Sequence, residues 1–551
     1  MHIAVILFPS LALASASTFS QRSGGKGHDF ASIKPASHLH WSPCYEGSNP
    51  NLTCARLEVP LDYDDHSRGN TDIAFIKYTA STEKEAPSLL INPGGPGNSG
   101  TQVVKASGKA LAKLSGGTYN VVGFDPRGVG DSGPVIDCWP GHPEKRAQFQ
   151  RLFYPEISNA SSTALNKQYY IAEIFGDACS ASVGGSKGNA SYITTPLVAR
   201  DMLSFIEAEQ AVSEKPAEKA KLSYYGVSYG TILGATFASM FPDRIDKMVL
   251  DGVLEASDYY DLHWQTNLQD TDKVLESFFS SCHQVGAQNC TFWGPSVHNI
   301  TARFDKIVID MKSHPIPIPN PSSCGVPLMA TYSDLKQLIF QAMYSPLEQF
   351  AKLADVLSGL ERGNTTAYEV AVTGGSIAAS PCANETAGLI PDAPLSIICA
   401  DGDVGQRFQD VSQFRKYVDE LTVQSRFFGE VWASNLNTVS CRSFDVKPPK
   451  SGRLSSNIMD PKKTSFPLLL VTSSLDPVTP KSGAHRMSTV FPGSVVLTQN
   501  STGHSAVGSA SSCVLENIQT YLSGRLPAQN ATCQPDLLPF QGQSSPINFR
   551  G

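Results

Sequence analysis

A series of short apolar runs, each closing on a sharp turn and separated from the next by a helix-length segment, constrains this chain more than any other feature. The runs are SLLINPGGPG, YNVVGFDPRGVGDS, LSYYGVSYG, KMVLDGV and FPLLLVTSSLDPVTP. Continuous apolarity over such lengths is the pattern of parallel strands covered on both faces, and the intervening helices supply the covers. It predicts an α/β protein with a doubly wound, mostly parallel sheet. Ahead of the series, LEVPLDYDD and DIAFIKYTA read as opening antiparallel strands. Between about residues 255 and 448 the rhythm stops, and amphipathic segments such as TDKVLESFFSSCHQV and PLEQFAKLADVLSGLE replace it. We read this stretch as an inserted helical cap, with PIPIPNPSSCGVP as an extended, proline-rich connection inside it. The expected units are then a signal peptide (1–16), a flexible leader (17–40), a first core part (41–254), the cap (255–448) and a second core part (449–551).

The start of the chain holds an apolar run from Ile3 to Leu13 followed by Ala14-Ser15-Ala16, the small-x-small pattern of a signal peptidase site. The run is too short to span a bilayer, so no membrane association is expected after cleavage. Twelve cysteines without tight C-x-x-C pairs favour disulfides over zinc. Cys44 with Cys54, Cys282 with Cys290, Cys513 with Cys533 and, more loosely, Cys138 with Cys179 are candidate bridges, although spacing leaves the connectivity open. N-x-S/T sequons at Asn51, Asn159, Asn189, Asn289, Asn299, Asn364, Asn384, Asn500 and Asn530 point to N-linked glycans. Together these features indicate a secreted, extracellular or vacuolar, protein. A net charge of -7 without long runs of one sign argues against nucleic acid as a partner.

Gly226-Val227-Ser228-Tyr229-Gly230 follows the strand-like KLSYY and precedes a small-residue helix. This G-x-S-x-G spacing sets a serine on a tight strand-to-helix turn with its hydroxyl exposed. A serine hydroxyl needs a base to accept its proton and a carboxylate to orient that base. Asp476 falls in the turn after FPLLLVTSS, and His504 in the loop after VVLTQN, which is the chain order such a serine requires. Asp251, at the end of KMVLD, is the runner-up acid, Asp403 a rival one, and His485 a surface histidine. The glycines of Asn92-Pro93-Gly94-Gly95-Pro96-Gly97 suit an oxyanion hole, with the backbone N–H groups of Gly95 and Tyr229 as donors. The loop lacks the Lys-Ser/Thr of a phosphate-binding loop and the G-x-G-x-x-G of a dinucleotide site. The expected chemistry uses neither a metal nor an organic cofactor.

In their order, PGGPG, GFDPRGVGDS, GVSYG, FPDRIDKMVLDGV, ICADGD, SLDPVTP and GHSAV resemble the secreted tripeptidyl-aminopeptidase-like branch of the α/β-hydrolases, which is related to prolyl aminopeptidases. The likeness runs from about Trp41 to Leu522. It implies a helical cap over the site, removal of short peptides or single residues from a free amino terminus, and a triad of Ser228, Asp476 and His504. Such an exopeptidase needs a carboxylate to pair with the substrate ammonium, and Glu255, Asp401 and Asp403 are the candidates. Pro-Gly stands where prolyl aminopeptidases have His-Gly, which argues against carrying over proline specificity. The cap aromatics Trp264 and Phe278 read as core. The same machinery serves a carboxylester or lactone hydrolase, or an acyl-transfer enzyme of secondary metabolism. A non-catalytic binding protein on the same scaffold is the remaining alternative.

Overall fold

The computed structural model describes residues 30–541 apart from 46–48, 81–85, 153–155, 320–326, 374–391, 403–406, 437, 455 and 510. The expected signal peptide, Asp403, Asn384, Cys324 and Cys382 therefore lie outside the described residues. Of the expected leader, residues 30–40 are described. Phe30 and Leu39 are buried, and Ala36 bridges to Leu57 in the sheet.

Twelve strands are described: β1 (Ser42–Pro43), β2 (Leu52–Pro60), β3 (Asn70–Tyr78), β4 (Ser88–Asn92), β5 (Asn120–Phe124), β6 (Leu222–Val227), β7 (Ile245–Asp251), β8 (Ile316–Ile318), β9 (Leu328–Ala330), β10 (Leu469–Leu475), β11 (Val495–Thr502) and β12 (Ala531–Cys533). All but β8 and β9 form one sheet in the order β1-β2-β3-β5-β4-β6-β7-β10-β11-β12. As the sequence pattern predicts, β1, β2, β3 and β5 pair antiparallel, and every pairing from β5 through β4 to β12 is parallel. All six residues of β6 are buried, which is why that strand reads as an unbroken apolar run.

Strand order reverses at β4, because the chain moves from β4 to β5 on one side and returns to β6 on the other. In open α/β sheets the crevice at such a reversal is where ligands bind. Here it sets the loop after β4 beside the turn after β6, with Asn92 in register with Gly226.

The cap is helical from Ala256–Tyr260 through Gly429–Leu436, and the proline-rich connection pairs at its ends as the β8–β9 ladder. A second insertion joins it. The helix Ala164–Val183, between β5 and β6, hydrogen-bonds to cap residues through Gln168 to Ser434 and Tyr169 to the Phe408 carbonyl. Five disulfides are described: the four that spacing suggested and Cys399–Cys441, which closes part of the cap. Trp264 and Phe278 are buried, as a core role requires. Among the described residues no helix is long and apolar enough to cross a membrane.

Candidate active site

Ser228 sits between β6 and the helix Tyr229–Met240 with φ 57° and ψ -125°, a strained conformation for a residue with a Cβ. Its neighbours explain how the strain is held. A Cβ on Gly226 would lie 2.4 Å from the Gly230 carbonyl, and one on Gly230 would lie 2.7 Å from the Asn92 carbonyl. Only hydrogen fits at either flank of the serine. The Ser228 N–H donates to the Asp251 carbonyl at 2.9 Å, and Thr231 Oγ1 donates to the Ser228 carbonyl at 2.7 Å. The hydroxyl itself has no hydrogen-bond partner among the described residues.

The loop after β4 presses on this turn. Gly94, at φ +91°, is so close that a Cβ there would sit 3.0 Å from Ser228 Cβ and 3.1 Å from the Tyr229 nitrogen. Its N–H is committed to Asn92 Oδ1, which leaves the Gly95 N–H as the first in the loop without an acceptor among the described residues. The Tyr229 N–H opens a helix, where main-chain donors lack intrahelical acceptors. Gly95 and Tyr229 thus carry the two amides expected to face an oxyanion.

Asp476 follows β10 and is fully buried. Its Oδ1 accepts the N–H groups of Val478 and Thr479, and its Oδ2 accepts Thr479 Oγ1 and the Ser505 N–H. Both oxygens lie 3.1 Å from His504 Nδ1. Burial pushes the Asp476 carboxyl upward, but attraction to His504 and these hydrogen bonds outweigh it and hold the group below the usual carboxylate range. An ionised partner on Nδ1 draws the ring proton there and leaves Nε2 as the acceptor. The cap braces the same histidine, since the His504 N–H donates to the Tyr344 carbonyl and the two rings meet edge to face with centroids 5.2 Å apart.

The runner-up acid stands elsewhere. Asp251 is buried at the end of β7 and accepts the N–H groups of Ala506 and Val507, not the imidazole. His485 is exposed on the helix Lys481–Val490.

Asp401, expected to meet a substrate ammonium, is committed within the protein. Its carboxylate accepts the Thr195 N–H and the Tyr259 hydroxyl, each at 2.6 Å, and the Thr195 hydroxyl as well. Tyr229 reaches the same cluster through its own hydroxyl on Thr195 Oγ1. Burial pushes the Asp401 carboxyl up to about 6 despite those donors. These bonds tie the cap helix that carries Asp401 to the core helix that begins at Thr195. Its helix, Asp392–Asp401, is fastened at the other end by Asp392, which pairs with Arg146 and accepts the Cys138 N–H. Pro394 in that helix lies so close to the oxyanion loop that a Cβ on Gly97 would sit 2.7 Å from it. Glu255 is half-buried, accepts the Ser257 hydroxyl, and has the exposed Arg486 3.4 Å away.

Three contributors escaped the sequence reading. Thr479 left a local trace, because a threonine three residues after an aspartate at a turn is a side-chain capping pattern. Tyr344 left none, and of the helix Asp392–Asp401 only its end was singled out, as ICADGD and Asp401; both are placed only by the cap's docking.

The sheet has the α/β-hydrolase fold, and the comparisons with known proteins agree. Residues 87–289 match the alpha/beta hydrolase fold family, and residues 425–533 match the family described as TAP-like protein. The chain is similar to the tripeptidyl aminopeptidase of Streptomyces lividans, with 27% identity covering 91% of this chain and 87% of that one. It is equally similar to the serine protease Hip1 of Mycobacterium tuberculosis, at 27% identity over 93% of each chain. Carboxylesterase B of Mycobacterium tuberculosis is 24% identical over 90% of both chains. The chain therefore combines an α/β-hydrolase domain with a TAP-like C-terminal segment, and its likeness to the tripeptidyl-aminopeptidase group spans nearly its whole length.

Proposed function

We propose that this chain is a secreted serine peptidase that releases short peptides or single residues from a free amino terminus through an acyl-enzyme. Ser228 is the nucleophile, His504 the general base, Asp476 the carboxylate that orients it, and the Gly95 and Tyr229 N–H groups form the oxyanion hole. The observation that carries the reading is the His504 Nδ1 contact, 3.1 Å from both oxygens of an ionised, buried Asp476, in a chain whose serine stands on a strained elbow.

In the first half-reaction His504 Nε2 takes the Ser228 proton as Oγ bonds to the scissile carbonyl carbon. The carbonyl oxygen becomes an oxyanion on the two amides. Collapse of this intermediate breaks the C–N bond, and the imidazolium returns the proton to the leaving amine. Water then repeats the sequence, freeing the acid and restoring Ser228. Each oxyanion donor is worth about 2.7–4 kcal/mol to such a step.

With Asp401 committed to the cap–core tie, Glu255 takes the ammonium role. Its ion-pair partner Arg486 is exposed, so exchange for a substrate ammonium costs little. Secretion is supported by the five disulfides, which suit an oxidising compartment. Exposed sequons at Asn51, Asn189, Asn289, Asn364, Asn500 and Asn530 are the proposed glycan sites. The second reading, a carboxylester hydrolase, is favoured by the likeness to carboxylesterase B.

Chromogenic tripeptidyl and aminoacyl amides, with free and acetylated amino termini, assayed beside short acyl esters, separate the two. We expect cleavage of the free-amine amides, lost on acetylation, with a raised KM in Glu255→Gln. Turnover of esters with the amides untouched rejects the peptidase.

A further inference from the structure

We propose that Asp251, outside the Ser228, His504 and Asp476 set, is a positioning residue that ties the serine turn to the histidine loop and places a second carboxylate behind the base. The inference rests on Ser228 being the nucleophile and His504 its base.

Asp251 closes β7 and is fully buried. Its carbonyl accepts the Ser228 N–H at 2.9 Å. Its Oδ1 accepts the Ala506 N–H at 2.8 Å, and its Oδ2 accepts the Val507 N–H at 3.2 Å and the Tyr225 hydroxyl at 2.9 Å. One residue thus reaches from the nucleophile's own amide to the amides two and three positions past the base. The adjoining Gly252, at φ +68°, lets the chain press on both neighbouring loops, since a Cβ there would be 3.0 Å from Ser505 Cβ and from Thr479 Oγ1.

The amides of the histidine loop show what this residue contributes. Gly503 donates to the Leu475 carbonyl, His504 to the Tyr344 carbonyl and Ser505 to Asp476 Oδ2. Ala506 and Val507 donate to Asp251. Five consecutive N–H groups are anchored, and the two carboxylates divide the last three between them. Removing the Asp251 fork frees one side of the loop and leaves buried donors unpaired, which is costly.

The titratable groups facing Asp251 are Tyr225 from β6, His504 from the loop after β11 and, beyond that ring, Asp476 from the turn after β10. Burial pushes the Asp251 carboxyl up to about 6, against its hydrogen bonds and the attraction of His504. Above that pH the carboxylate is charged, and an imidazolium formed during the reaction faces two anions.

The test is Asp251→Asn, compared with wild type and Ser228→Ala across a pH series. Asparagine offers one acceptor oxygen where the carboxylate offers two, so the fork is broken. We expect kcat/KM to fall roughly tenfold or more, chiefly in kcat. Loss of the negative charge makes protonating the base harder, so the acidic limb of the profile should move down by about half a pH unit. A folded variant with wild-type kcat/KM, or one slowed without any shift of the limb, overturns the proposal. If Asp251→Asn fails to fold, Tyr225→Phe decides. It keeps both loop anchors but removes a donor to the anion, so the limb should move the same way by less, and an unmoved limb overturns the proposal. Activity surviving in Ser228→Ala would instead defeat the reading of the site itself.

Discussion

The turn after β10 and the seam where the cap meets the core are built around similar groups and behave differently. Asp476 is fully buried and Asp401 half-buried, and each accepts several donors. Asp476 faces an imidazole and stays below the usual carboxylate range, while Asp401 faces hydroxyls and one amide and is pushed up to about 6. Asp476 accepts four donors and faces the imidazole as well, which together outweigh its desolvation, whereas the three donors on Asp401 do not. In the proposed reading the first arrangement orients a base and the second fastens a cap.

The sharpest break between them is catalytic. Asp476→Asn should lower kcat roughly 10⁴-fold without unfolding the protein, because the wrong histidine tautomer is then favoured. Asp401→Asn should leave kcat within about tenfold of wild type and show its effect in stability, on the order of 1–3 kcal/mol by denaturant unfolding. Equal catalytic losses would erase the distinction.

A somewhat larger stability effect is expected within the cap. Cys399–Cys441 closes a segment of 42 residues, so Cys399→Ser with Cys441→Ser should cost about 4 kcal/mol with kcat little changed in the folded fraction.

The smallest expected effect concerns pH. Asp401, like Asp125 and Asp251, has its folded value raised to about 6 from 3.8, so its contribution to stability is complete below about 3.8 and disappears as pH rises through 6. Asp476 has the opposite sign, contributing above its ordinary value and losing that contribution on acidification. Thermal midpoints measured from pH 4 to 7 should therefore decline less steeply in Asp401→Asn than in wild type. An unchanged slope would mean that Asp401 does not titrate in that range.

Legibility in the sequence divides along the same line. The sheet and the elbow were readable because buried parallel strands and glycine-flanked turns are local patterns, carried by a few consecutive residues such as Leu222 to Gly230. Asp476 and His504 were readable because each comes just after a strand, and the sheet brings strand ends together. The cap–core seam was not. Asp401 meets Thr195 across 206 positions, and no local pattern distinguishes an aspartate at a helix end that binds substrate from one that docks the helix. The brace of Tyr344 on His504 is equally non-local, as is the closure of Pro394 over Gly97. The burial of Phe30 and Leu39 within the expected leader is likewise not legible, because a Ser/Gly/Lys-rich composition from about Thr18 to Lys34 carries no sign of two apolar anchors.

The central claim is that Ser228 is activated by His504, and trapping the nucleophile tests it most directly. A fluorophosphonate probe incubated with the folded protein, with the product mapped by peptide mass spectrometry, should place the adduct on Ser228, with labelling abolished in Ser228→Ala and at least roughly 10³-fold slower in His504→Ala. An adduct on another residue, or labelling at an undiminished rate without the imidazole, would contradict the account.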